Sequence, residues 1–481
     1  MMADELVEEV LAGPAGPRVG AFFDYDGTVI DGYSVTAFAV DRVRRLNLTP
    51  GEAARTLLVG LRGIGDPDAF TTFVTDSLRS WAGRSEDELE ELGERLFTRW
   101  IAGSLYPQAW ELVKAHQRMG HTVVLASSAT RFQVAPMARE LGVEHVLCTE
   151  LEAENGILTG RITGPVPYGV GKADAVRAFA AAHGVDLATS YAYSNGDEDV
   201  PFLQAAGRPR ALNPGRLLAA TAAEHGWPVR RFPPRELPDL TTVVRSAAVY
   251  GGMLAGVASG LGIGLLNRDR KQAVELGGSF ASTLGLALGG ITIEVRGEHN
   301  LWARRPAVFV FNHQSALDVL VMIKLLRRDV SAVAKKELAS VPLLGQFFRL
   351  ADVAFVERGN TDQARAALEP AVRKLREGVS LAMSPEGTRT VTPRLGRFKK
   401  GAFHVAMQAG VPIVPVVIRN AGEIMWKGAR TFRRGTVQVV VHDPVPTAGW
   451  TVAGLDDEVA RVRQLYLDTL DDWPGGGGSR G

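Results

Sequence analysis

Two stretches of this chain set ionisable side chains against apolar runs in patterns suited to acid–base or nucleophilic chemistry. In "FNHQSALDVL", residues 311–320, His313 follows the apolar run "AVFVF" and Asp318 stands five positions further on. A helix turns about 100° per residue, so residues five apart do not share a face. The pair meets only if His313 precedes a helix and Asp318 lies in its first turn. An imidazole held that way by a carboxylate is a general base, able to take the proton from an attacking hydroxyl. Ser315 is the predicted N-cap, and Ser315-Ala316-Leu317-Asp318 also fits a capping box, which accounts for the aspartate without chemistry. It does not account for His313.

The second stretch is "RVGAFFDYDGTVIDG", an apolar strand that stops at Asp24 and Asp26 and turns through Gly27. Carboxylates at the carboxyl end of a strand project into the crevice where open α/β sheets bind ligands. Downstream, "HTVVLASSAT" is a buried-strand pattern reaching Ser127, "GVGKADAVRAF" puts Lys172 at the start of a helix, and "SYAYSNGDEDVPFL" is a strand leading to an acidic loop with Asn195 and Asp199. A nucleophilic carboxylate, a hydroxyl, a lysine and an acidic Mg²⁺-binding loop are the parts needed for phosphoryl transfer through an aspartyl-phosphate.

The elements that must position these groups alternate. Apolar β-like runs such as "VSLAM" and "VPIVPVVI" are separated by amphipathic helical patterns such as "TDQARAALEPAVRKLREG", which argues for α/β architecture. Arg358 follows "VAFV", and Arg389 follows the tight turn "PEGT", so both stand at strand ends where a guanidinium can hold a phosphate. Gly387 permits close backbone approach there.

At 481 residues the chain is long enough for two domains. Its 54 basic and 53 acidic residues nearly cancel, but from Thr292 onward there are 27 basic against 19 acidic, leaving 27 against 34 before it. The basic half suits anionic headgroups or phosphate esters. No basic and aromatic cluster points to nucleic acid. The lone Cys148 fits a reducing cytosol and reads as a small buried apolar residue. "MMADELVEEV" lacks the apolar core of a secretion signal, and "PGGGGSRG" reads as a flexible end.

Between Arg245 and Arg268 there is no charge, and Gly252, Gly256, Gly260 and Gly264 recur every fourth position. A second apolar segment carries Gly277, Ala281, Gly285 and Gly289 at the same period. Small-residue stripes let helices approach closely in lipid, whereas so much glycine weakens a helix in water. The expectation is a membrane-associated helical hairpin, packed on itself or, as a homodimer, on a second chain.

The phosphate-chemistry signals, in their order, resemble the haloacid dehalogenase superfamily, in particular its phosphoserine-phosphatase-like branch. The resemblance implies a Rossmann-like domain over 18–235, after an N-terminal segment 1–17, with a helical cap over about 33–105. It also implies Asp24 as nucleophile, Asp26 as general acid and base, Ser127 and Lys172 as phosphate binders, and Mg²⁺ held by Asp24, Asp26, Asn195 and Asp199. Asn195 departs from the family's usual aspartate; Asp197 or Glu198 are the candidates to compensate, and an inactive regulatory module is the alternative reading. The blocks "NHQSALD", "FVER", "PEGTRT" and "VPIVPV" resemble the glycerolipid acyltransferase family that includes lysophosphatidate acyltransferases, over 292–472, with the hairpin at 245–291 and the tail at 473–481. That resemblance implies catalysis by His313 and Asp318. It implies substrate binding by Asn312, Arg358, Glu386, Gly387, Thr388 and Arg389, lysophosphatidic acid as acceptor, and acyl-CoA or acyl-carrier protein as donor. The expected location is the cytoplasmic face of a membrane, in contact with its lipid.

Overall fold

The run "GAFF" forms β1 (Gly20–Phe23), all four residues buried because strands lie on both sides of it. The computed structural model describes residues 2–44, 67–235, 239–335, 349–351, 353–356 and 369–474. They fall into two units, Met1–Glu236 and Leu237–Gly481.

In the first unit β1 is joined by β2 (Thr122–Thr130), β3 (His145–Glu154), β4 (Ile157–Thr163), β5 (Tyr191–Ser194), β6 (Arg208–Leu212) and β7 (Val229–Arg230). The strand order is β4-β3-β2-β1-β5-β6-β7, with β3 and β4 antiparallel and every other pair parallel. The chain runs outward from β1 in one direction and then returns to lay β5 on its other side. That reversal opens a crevice at the carboxyl ends of β1, β2 and β5, where open α/β sheets take ligands.

Between β1 and β2 lie the helices Ser34–Arg44, Pro67–Arg79 and Glu86–Leu96. The last is capped by the Ser85 hydroxyl accepting from Glu88 N–H, and buries Leu89, Leu92 and Leu96 on one stripe. The N-terminal segment is not a bare extension. It forms a helix, Met2–Leu11, whose Leu6 and Val10 are buried one turn apart, and its Glu9 and Glu5 pair with Arg210 and Arg230.

The second unit begins with two helices, Leu240–Asn267 and Arg270–Gly289. Their glycine stripes face each other within one chain. A Cβ added at Gly260 would lie 2.1 Å from the Gly277 backbone nitrogen, and one at Gly256 would lie 2.2 Å from that of Ala281. Of the two packings expected, on itself or on a second chain, the hairpin packs its small-residue faces on itself. It also gives a sharp contrast. Gly262, on the same helix, has open space where its Cβ would be. Gly260→Ala is therefore expected to lower the melting temperature, since backbone must move and overpacking costs about 1–3 kcal/mol. Gly262→Ala is expected to be neutral or to stabilise by up to about 1 kcal/mol through helix propensity. Equal melting temperatures for the two variants would contradict the packing.

The strands β8 (Ile291–Arg296), β9 (Val308–Phe311), β10 (Val330–Lys335), β11 (Ala354–Val356), β12 (Ser380–Met383), β13 (Ile413–Ile418) and β14 (Gly435–Val441) form the second sheet, in the order β11-β10-β12-β9-β13-β14-β8. Only β13 and β14 are antiparallel. Buried side chains fill both faces: Phe309, Leu317, Val321 and Val414 on one, and Val308, Phe403, Val417 and Tyr466 on the other. Again β9 sits at a reversal, between β12 and β13, and His313 follows directly from it.

Candidate active sites

His313 leaves β9 in a short loop, and the helix Leu317–Leu326 starts with Asp318 in its first turn. One carboxylate oxygen, Asp318 Oδ2, accepts three hydrogen bonds: from His313 Nδ1 at 2.9 Å, and from the backbone N–H groups of Gln314 and Ser315 at 2.8 Å each. Asp318 thus braces the turn before its helix and holds the imidazole with one oxygen. Because a carboxylate only accepts, Nδ1 carries the proton and Nε2 of the neutral ring keeps its lone pair. Asp318 is fully buried, while the His313 side chain keeps 20% exposure. The Ser315 hydroxyl is buried and spoken for, accepting from Leu317 N–H and donating to the Met425 carbonyl, so it braces the turn; the helix's N-cap is Ala316, one residue beyond the predicted one.

The turn after β12 closes on this base. Glu386 accepts from the backbone N–H of His313 at 2.6 Å through Oε1 and from that of Gly396 at 2.7 Å through Oε2. Burial raises its carboxyl above the usual range, against the pull of those two hydrogen bonds. Thr390 N–H donates to the His313 carbonyl at 2.9 Å. Gly387 has φ +71°, and a Cβ there would lie 3.2 Å from Lys399 Nζ. Thr388 is exposed and Arg389 half-buried on the same turn.

Two of the sequence-selected binding residues have their polar atoms engaged by backbone. Glu386 spends both oxygens on backbone and so acts by holding the loop of His313. Asn312 is buried, donating to the Ile418 carbonyl and accepting from the Ile418 N–H, both at 2.7 Å. It pins β9 to the end of β13. Arg358 lies outside the described residues.

In the first unit the predicted groups converge. Asp24 follows β1, and its Oδ1 receives Lys172 Nζ at 2.8 Å; the same ammonium reaches Asp199 Oδ2 at 2.6 Å. All three side chains are almost wholly buried. Burial by itself would lower the lysine's pKa, but the Asp199 and Asp24 charges raise it, so it stays an ammonium. Burial lifts Asp24 above the carboxylate norm, with Asp199 repulsion adding and Lys172 opposing. Asp26 is pushed up to about 7, chiefly by burial, although Ser34 donates to it through N–H at 2.7 Å and through its hydroxyl at 3.1 Å. A carboxyl at that value can give and take a proton near neutral pH. Ser127 is buried in β2, its Oγ accepting from Ala129 N–H.

The Thr28 hydroxyl stands 3.0 Å from both Asp24 Oδ2 and Asn195 Oδ1. Asp199 Oδ1 is buried without a hydrogen-bond partner, a costly state that a cation relieves. Among the described residues no three His, Cys, Asp or Glu side chains group closely enough to hold a metal ion. The Asn195 amide oxygen stands beside Asp24 through the Thr28 hydroxyl that both contact. Asp197 Oδ1 accepts from Leu218 N–H at 2.7 Å, in the first turn of the helix Arg216–Glu224. Glu198 lies nearer the site: burial first and Asp199 second push its carboxyl up to about 7.

Reading the sequence singled out neither Thr28 nor Ser34. Thr28 had a signal, since it closes the same D-Y-D-G-T turn; Ser34, eight residues past Asp26, had none.

The family pattern described as haloacid dehalogenase-like hydrolase matches residues 21–204, and the one described as acyltransferase matches residues 292–419. A 1-acyl-sn-glycerol-3-phosphate acyltransferase of Limnanthes alba is 34% identical over 222 residues, 45% of this chain and 78% of its own. The human 1-acyl-sn-glycerol-3-phosphate acyltransferase alpha is 39% identical over 195 residues, 40% of this chain and 69% of its own. The chain belongs to the 1-acyl-sn-glycerol-3-phosphate acyltransferase family. It carries in addition a haloacid dehalogenase-like hydrolase domain: a putative hydrolase of Mycobacterium tuberculosis is 33% identical over 255 residues, 51% of this chain and 82% of its own. The acyltransferase unit therefore holds the His313–Asp318 pair and the hydrolase unit holds Asp24, Asp26 and Lys172.

Proposed function

We propose that the acyltransferase unit transfers an acyl group from acyl-CoA or acyl-carrier protein to lysophosphatidic acid, giving phosphatidate, at a membrane surface. The observation that carries this reading is the 2.9 Å contact of His313 Nδ1 with the Asp318 carboxylate, which leaves Nε2 to serve as the base. Nε2 takes the proton of the acceptor's free hydroxyl as its oxygen attacks the thioester carbonyl. The thiolate leaves, and the proton returns to it from the imidazolium that Asp318 stabilises. In this reading Arg389, on the turn that clasps His313, binds the acceptor's phosphate.

Membrane residence is supported by the hairpin's inverted packing. The helix Leu240–Asn267 buries Gly252, Gly256, Gly260 and Gly264 and exposes Leu254, Leu265 and Leu266, the last two at 80% and 84%. A helix in water does the reverse. At about 1.5 Å per residue its 28 residues reach about 42 Å, more than a hydrocarbon core of about 30 Å. The cytoplasmic face is the side on which acyl-CoA and acyl-carrier protein are met.

The hydrolase unit is, in this reading, a phosphomonoesterase. Asp24 is the nucleophile, Asp26 the acid that protonates the leaving alcohol and the base for the water that follows, and Ser127 and Lys172 hold the phosphoryl oxygens. Asp24, Asn195 and Asp199 offer hard oxygen donors that fit Mg²⁺, with Asp26 beside them. When bound, that ion supplies charge neutralisation for the phosphoryl group. Asn195, an uncharged donor, favours the second reading, a phosphatase fold retained as a regulatory module.

Incubating the full-length protein in vesicles with lysophosphatidic acid and acyl-CoA, with products resolved by mass spectrometry, tests the proposal. Phosphatidate is expected; its absence with acyl-CoA and again with acyl-carrier protein as donor overturns the acyltransferase reading.

A further inference from the structure

The loop between Ile424 and Gly435 lies outside the motif blocks in sequence, yet it reaches three separate parts of the acyltransferase unit. Arg433 N–H donates to the Ile424 carbonyl at 2.9 Å, so the loop's ends are drawn together. At its start, the Met425 carbonyl accepts from the hydroxyl of Ser315, in the turn between His313 and Asp318. Next, Lys427 Nζ donates to the Arg389 carbonyl at 2.7 Å. At its end, Phe432 N–H donates to Ser246 Oγ at 2.8 Å, and the Arg430 carbonyl accepts from the Tyr250 hydroxyl at 3.1 Å; Ser246 and Tyr250 both lie on the hairpin helix Leu240–Asn267. The Tyr250 and Phe432 rings meet edge-on with centroids 5.4 Å apart, and Phe432 and Met425 are both buried.

We propose that Lys427 is a positioning residue for the acceptor-phosphate site, fixing the backbone at Arg389 from a loop whose far end is anchored on the hairpin helix. The inference rests on the acyltransferase reading. Arg389 stands on a turn whose glycine, Gly387, has positive φ, and a charge-assisted bond to the 389 carbonyl sets where that turn ends and so where the guanidinium starts. Because the same loop grips Ser246 and Tyr250, a displacement of the helix carries to Arg389 through packed and hydrogen-bonded atoms.

The test measures steady-state kinetics of the full-length protein in phosphatidylcholine vesicles, with lysophosphatidic acid and oleoyl-CoA varied separately. Lys427→Ala is expected to raise KM for lysophosphatidic acid about tenfold while leaving KM for oleoyl-CoA within twofold, and Lys427→Arg, which keeps a cationic donor, is expected to recover most of the loss. In an Arg389→Ala background, Lys427→Ala is expected to add less than twofold, since it acts through the residue already removed. Tyr250→Phe, which deletes the bond and keeps the ring, is expected to shift KM for lysophosphatidic acid in the same direction by about twofold. An unchanged acceptor KM in Lys427→Ala, equal shifts for both substrates, or full additivity with Arg389→Ala overturns the positioning role. A melting temperature lowered equally in Lys427→Ala and Lys427→Arg, with KM recovered only in the latter, still supports it. A wild-type protein that makes no phosphatidate instead overturns the reading on which it rests.

Discussion

His313→Ala is expected to lower kcat for acyl transfer by about 10²–10⁴-fold, the range spanned by a positioned general base, with little change in KM for either substrate. The fold should persist. Glu386 binds the backbone N–H of residue 313, not its ring, and Asp318 keeps the Gln314 and Ser315 N–H groups. Vesicle co-sedimentation and the melting temperature should therefore match the wild type. Asp318→Asn is a sharper companion, because an amide in place of the carboxylate turns an N–H toward its donors and no longer selects the Nδ1-protonated ring. It should lose activity together with some stability, since Asp318 is fully buried and accepts three bonds on one oxygen. Transfer retained in His313→Ala would remove the imidazole from the reaction and with it the enzymatic account of this half.

Asp24→Asn is expected to abolish phosphomonoester hydrolysis, by about 10³-fold or more, the scale of losing an acting nucleophile, while acyl transfer is untouched. The amide keeps the shape of the carboxylate but cannot form the acyl-phosphate. Lys172 keeps Asp199 as an ion partner, so the ammonium is not left alone in the interior. The measurement is release of inorganic phosphate across a panel of phosphomonoesters, with Mg²⁺ and with chelator. Activity that survives Asp24→Asn sinks the assignment of the nucleophile. A wild-type protein inert across the panel, with and without Mg²⁺, would show that the neutral Asn195 has cost this domain its chemistry and would leave it a regulatory module.

Much of both sites was legible in the chain because strand-end chemistry is local. An apolar run followed at once by Asp24 or by His313 says where a strand stops and which side chain stands at its lip. The bond of Asp318 back to the Ser315 N–H could be read from four consecutive residues for the same reason, although the helix's N-cap is Ala316. What local reading could not separate was binding from bracing. Asn312 and Glu386 sit inside the motif blocks, yet their polar atoms are consumed by Ile418, His313 and Gly396, partners 10 to 106 residues away. Asp197, a candidate metal ligand by sequence, has one oxygen engaged by the N–H of Leu218, 21 residues downstream of it.

The sequence by itself determined the two α/β units, the strand-end placement of His313, Asp24 and Asp26, and the small-residue periodicity of the hairpin, since each follows from the type and spacing of neighbours along the chain. Only the tertiary structure decided that the glycine stripes close on each other within one chain and that Lys172 bridges two carboxylates. It alone decided that Lys427 holds the backbone of Arg389. These depend on which faces the sheet order and helix packing bring within about 3 Å, and hydrogen bonds and ion pairs in a buried setting are formed or lost over that range, which no one-dimensional pattern encodes.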